Sequence, residues 1–76
     1  MKKIDVGWLG PSARKKYNIK IGAEVSIANY IGNYLKNNNV NYPIGSFGII
    51  KSRYNSSLMV DVDGTTFQVT AVFVNE

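Results

Sequence analysis

Apolar and polar residues alternate along this chain in short runs, and the runs are separated by clusters of Gly, Asn, Ser and Asp. Ile4, Val6 and Trp8 alternate with Asp5 and Gly7, the period of a half-buried strand or of an extended arm lying on a core. Trp8 is read there as a lid on that core, ahead of a role as an interface anchor. Gly10-Pro11 ends the run, and Ser12 stands where an N-cap would, so one or two helical turns are predicted over residues 12 to 17, with Asn18 closing them. Val25 and Ile27 mark a strand from Glu24 to Tyr30. Residues 31 to 44, with Gly32, a run of Asn and Pro43, have the composition of a long loop.

A second long strand is predicted from Gly45 to Tyr54, with Gly48 marking a bulge or a close backbone approach. Asn55-Ser56-Ser57 turns the chain. Leu58, Val60 and Val62 then form an inward row, with Met59, Asp61 and Asp63 outward. Asp63-Gly64 between two alternating runs predicts a type I′ hairpin turn, because both central residues of that turn need positive φ. A strand over Thr65–Thr70 with Phe67 and Val69 inward follows, then a short closing strand over Ala71–Val74. No segment is long enough to be a helix that covers a sheet, so the sheet must bury its apolar face against itself. The expected fold class is all-β with one short N-terminal helix: a small five-stranded barrel over residues 20–76, with residues 1–19 as an N-terminal arm and short basic helix. At 76 residues the chain has room for a single domain.

Composition narrows the chemistry. The chain has no Cys and no His, so disulfides, thiolate zinc sites and the commonest acid-base side chain are all absent. Asp61 and Asp63 are two apart on a strand and point the same way, about 7 Å from each other. No third acidic ligand follows at loop spacing, and Asp63 has sufficient reason to exist in its turn. No serine has a His to activate it, and no Gly-rich phosphate loop precedes a helix. The chain is therefore expected not to be an enzyme, and to use no cofactor, metal or small-molecule substrate. Its apolar runs fall short of a membrane span, and no apolar stretch of signal-peptide length follows Lys2-Lys3, so a soluble, cytoplasmic protein is expected.

Two spacings resemble known small barrels. Gly22-Ala23-Glu24-Val25-Ser26-Ile27 is similar to the G-D-x-V-x-V opening of many SH3-like barrels. Gly45-Ser46-Phe47-Gly48-Ile49-Ile50 resembles the G-x-x-G-x-V element of KOW-type modules, and Val60-Asp61-Val62-Asp63-Gly64 looks like the strand and turn that follow it. The resemblance spans residues 20 to 74 and implies an SH3-like barrel. Residues 28 to 44 intervene where KOW modules have a brief loop, a length closer to the long first loop of SH3 domains. Residues 31 to 44 hold no Asp or Glu, so the acidic loop that SH3 domains use on proline-rich ligands is missing.

Charge then points to a partner. Residues 1 to 23 carry six Lys or Arg against one Asp, a net +5, whereas the remainder carries three against four, a net −1. Arg14, Lys15, Lys16, Tyr17 and Lys20 combine cations with an aromatic ring, the residue types that meet phosphates and stack on a base or sugar. Tyr30, Tyr34 and Tyr42 cluster around the long loop as further contact residues. The expectation is a non-catalytic module that binds nucleic acid through its basic N-terminal segment and loop tyrosines. The alternative is a small phage or mobile-element accessory protein that binds a host or viral protein and inhibits or redirects it.

Overall fold

The computed structural model describes residues 2–30, 32–34 and 44–75, the side chains of 32–34 excepted. Among the described residues, seven strands form one antiparallel sheet: β1 (Lys2–Asp5), β2 (Glu24–Ile27), β3 (Gly32–Tyr34), β4 (Phe47–Arg53), β5 (Leu58–Val62), β6 (Thr65–Val69) and β7 (Ala71–Val74). Their order across the sheet is β1-β7-β2-β4-β5-β6-β3. The fold is small and β-rich, with a 3-10 turn (Val6–Trp8) and one short helix, α1 (Pro11–Lys16), before β2.

The five expected strands correspond to β2, β4, β5, β6 and β7, and two more flank them. β1 arises from the N-terminal arm and pairs along its whole length with β7. β3 lies inside the stretch read as a loop, where Gly32, Asn33 and Tyr34 pair with Gln68, Phe67 and Thr66. Composition concealed β3 because a ladder is made by backbone groups, and the existing β6 edge offered them partners. The remainder of that stretch, Tyr42 included, lies outside the described residues.

The alternation in β5 and β6 is as expected: Leu58, Val60 and Val62 are buried, as are Phe67 and Val69. Asp63 and Gly64 between them have φ of 51° and 86°, the two positive values that a type I′ turn demands. Val25, Ile27, Ile50 and Val72 join them in one core, to which the N-terminal segment adds Val6, Leu9 and Ile19. Each such side chain is worth about 1.5–3 kcal/mol when fully buried, so residues 1–19 are part of the packing and not merely beside it.

Gly48 is the close approach that the β4 pattern anticipated. A Cβ there would fall 2.6 Å from the Asp61 carbonyl oxygen and from methyl groups of Val60 and Val62. The register between β4 and β5 also shifts between Ile50 and Ser52, leaving Lys51 as the extra residue of a β-bulge. Beyond the bulge Arg53 stands opposite Leu58 and so shares its face. Another polar device ties the end of β2 to the β6–β7 corner: Asn29 Oδ1 accepts from the backbone N–H of Thr70 (3.0 Å) and of Ala71 (2.9 Å), and Asn29 Nδ2 donates to Thr70 Oγ1 (2.8 Å).

The N-terminal alternation does not persist as strand. After Asp5 the chain winds into the 3-10 turn, closed by Leu9 N–H donating to the Val6 carbonyl at 3.0 Å. Three residues per turn put Val6 and Leu9 on the same side, toward the core, and swing Trp8 out. Trp8 is consequently 83% exposed, which overturns its reading as a core lid. The helix begins one residue before the expected span, with Gly10 as N-cap and Pro11 in the first turn, in place of Ser12. Proline is preorganised for that position and has no N–H to leave unsatisfied there.

Candidate functional site

The basic segment is shaped by how α1 ends. Asn18 adopts a left-handed φ of 59°, and two hydrogen bonds wrap back over the last turn, from Ile19 N–H to the Arg14 carbonyl (2.8 Å) and from Asn18 N–H to the Lys15 carbonyl (3.3 Å). This is the Schellman arrangement, in which the residue after the left-handed one tucks in as an apolar stop. Ile19 fills that role and is buried in the core. Arg14, Lys15 and Lys16 occupy the last helical turn, where cations complement the partial negative charge of the free carbonyls. Lys20 emerges just past the stop, exposed.

This reversal leaves an open hollow of about 410 Å³, lined by Pro11, Arg14, Lys15, Asn18, Ile19, Lys20 and Arg53. Three of its four cations were legible as candidates. The fourth, Arg53, comes from the far end of β4, and its Nη1 donates to the Ile19 carbonyl at 3.4 Å. Simple alternation from Phe47 through Ile49 and Lys51 would have placed Arg53 on the opposite face. The Lys51 bulge reverses that parity and brings it over the end of the core. A Gly-marked strand with a bulge was foreseeable, but its position at Lys51 was not.

No Asp or Glu lines the hollow among the described residues, so its four positive charges face one another without an internal counterion. Arg14 Nε is buried and has no hydrogen-bond partner. A buried donor left unpaired costs about 1–3 kcal/mol, more when the group is charged. Like charges gathered without a counterion also repel one another. No protein-family model, curated protein or solved structure matches this chain.

The remaining candidates lie elsewhere. Lys16 and Tyr17 line a second hollow of about 270 Å³ on the other side of Asn18 and Ile19, with Glu24, Ser26, Phe47 and Phe73 among its walls. Lys16 Nζ stands 5.1 Å from the centroid of the Tyr17 ring, a cation–π contact, while Tyr17 itself packs partly against the core. Tyr30 is half-buried, its ring 5.0 Å from that of Phe67 and tilted by 59°. It finishes the core where β2 ends. Tyr34 is in β3, its backbone paired with Thr66, and Tyr42 is beyond the described residues.

Asp61 is half-buried in β5 and Asp63 is spent on the hairpin turn. Among the described residues no three His, Cys, Asp or Glu side chains come together as metal ligands would, and no helix is long and apolar enough to cross a membrane.

Proposed function

We propose that this chain is a non-catalytic nucleic-acid-binding module, working in the cytoplasm and built on a small SH3-like barrel. Support for the barrel comes from the run β7-β2-β4-β5-β6 within a single sheet. Those five strands and the N-terminal segment share one core, in which Phe67, Ile50, Leu58 and Val60 are fully buried with no second sheet or long helix among the described residues to cover them. A single sheet achieves that burial by curling on itself.

The observation that carries the functional reading is the hollow formed by Arg14, Lys15, Lys20 and Arg53, drawn from segments over thirty residues apart and lined by no carboxylate among the described residues. A phosphodiester backbone supplies the repeated negative charge that such a site lacks. Phosphate contacts release condensed counterions, so affinity for duplex DNA falls with log salt at a slope of about −0.9 per contact, and for single strands at about −0.7. Fluorescence anisotropy with a labelled oligonucleotide, titrated between low and moderate salt, tests this directly. A slope corresponding to about three or four contacts is expected. A flat salt profile, or no binding in dilute buffer, contradicts the reading and favours the protein-partner alternative.

A further inference from the structure

We infer that the nucleic acid is taken as a single strand, its backbone in the basic hollow and its bases stacked on Trp8 and Tyr54; this rests on the nucleic-acid reading above. Two exposed aromatic residues stand close in sequence to residues that line the hollow, without lining it themselves. Trp8 is 83% exposed and Tyr54 is 56% exposed. Trp8 precedes Pro11, which lines the hollow, by three residues, so their Cα atoms are within about 11 Å. Tyr54 directly follows Arg53, another lining residue. Gly7 brings the Trp8 segment against the β4–β5 turn, since a Cβ on Gly7 would stand 3.7 Å from Ser56 Cβ.

Both rings are mounted on closed turns. The 3-10 hydrogen bond from Leu9 to Val6 holds Trp8 outward between two buried anchors, Val6 and Leu9. Tyr54 N–H donates to the Ser57 carbonyl at 2.9 Å, which closes the turn that carries it. A Trp held this way forgoes the burial that large aromatic side chains ordinarily obtain. Its π face is available to a ligand that presents flat, unstacked surfaces beside negative charge. Unpaired bases meet that description, whereas the bases of a duplex are already stacked on one another.

Trp8 is the chain's sole tryptophan and reports on its own site. The experiment titrates the full chain with a 20-mer of oligothymidylate and, separately, with a 20-base-pair duplex at low salt, following both anisotropy and tryptophan fluorescence. Oligothymidylate is expected to bind more tightly than the duplex and to quench Trp8. Trp8→Ala is expected to weaken oligothymidylate binding by about tenfold, within the range seen for one lost base–aromatic stack, and to leave duplex binding within twofold. Tyr54→Ala is expected to act in the same direction. Circular dichroism checks that each variant is folded, and Trp8→Phe, which keeps a stacking face, is expected to restore most of the affinity. Equal binding of both probes, or an unchanged affinity in the folded Trp8→Ala variant, overturns the single-strand inference while nucleic-acid binding stands. The double variant Lys15→Gln/Lys20→Gln separates the two failures, since it weakens both probes if the hollow binds phosphate. Absence of binding to either probe overturns the underlying reading as well, and then Trp8 and Tyr54 are to be tested as anchors for a protein.

Discussion

Two hollows meet at Asn18 and Ile19, and they differ in almost everything but their shared wall. One gathers Arg14, Lys15, Lys20 and Arg53 with no carboxylate. The other sets Tyr17, Phe47 and Phe73 around Lys16 and Glu24, which supply one charge of each sign. Helical geometry accounts for the partition, because successive side chains on α1 are turned by about a third of a circle and Lys15 and Lys16 must diverge. The sequence run Arg14-Lys15-Lys16-Tyr17 reads as a single basic patch, yet the fold splits it and recruits Arg53 to replace what is lost. A charge cluster in sequence becomes a shaped hollow only where a second segment completes it.

The largest change breaks both hollows together. Phe67 is fully buried beneath the sheet, and Phe67→Ala is expected to cost about 3–5 kcal/mol, comparable with the whole stability of a small domain. Urea denaturation measures it; a loss under 1 kcal/mol would show that Phe67 does not fill the core as its burial indicates. Next in size is the loss of charge from one hollow alone. Lys15→Gln/Lys20→Gln is expected to lower nucleic-acid affinity by about a hundredfold at 50 mM salt, roughly tenfold per phosphate contact. Both residues are exposed, so the midpoint of urea unfolding is to stay nearly fixed. A double variant that binds like the parent would show that the basic hollow does not hold nucleic acid.

Arg14→Met sharpens the contrast further, because it sets stability against binding. Removing a buried, unpaired Nε and one of four mutually repelling cations is expected to raise stability by about 1 kcal/mol, while affinity falls by about tenfold. Loss of stability in this variant would mean that the guanidinium has a structural partner in solution. The smallest effect is expected on the other side. Phe47 is 58% exposed in the mixed hollow, so Phe47→Ser is expected to change stability by no more than about 0.5 kcal/mol and nucleic-acid affinity by less than twofold. A fall matching that of the lysine variant would place the mixed hollow inside the nucleic-acid site.

What could be read in advance follows from which forces are local. The inward row Leu58, Val60, Val62, the Asp63-Gly64 turn and the bounds of β7 depend on alternation and on φ preferences, both written in adjacent residues. Asn18 as the helix stop is legible for the same reason. Trp8 was misplaced because a strand and a 3-10 turn diverge only after Asp5, and the choice is settled by where Val6 and Leu9 find their core. β3 escaped notice because its pairing uses backbone groups supplied by β6. In the basic hollow, Arg14, Lys15 and Lys20 are legible from the clustering of charge in residues 1–23, whereas Arg53 depends on one extra residue in a ladder and on a docking between distant segments.

The position of β7 has a consequence for how the chain is made. The last strand in sequence lies between the first two, paired with β1 on one side and β2 on the other. A nascent chain that has not yet presented residues 71–74 has no neighbour to offer β1, and the Asn29 clamp lacks its second backbone donor, Ala71. The β1–β7 pairing therefore joins residues about seventy apart, the kind of non-local contact that places β-rich domains among the slower folders, in the millisecond-to-second range. During translation at roughly 5–20 residues per second, β4, β5 and β6 can form a meander early, while the N-terminal segment that carries Arg14, Lys15 and Lys20 waits for the carboxyl-terminal strand to fasten it. A chain not yet extended through β7 thus carries these charges before β1 and β2 have their shared neighbour.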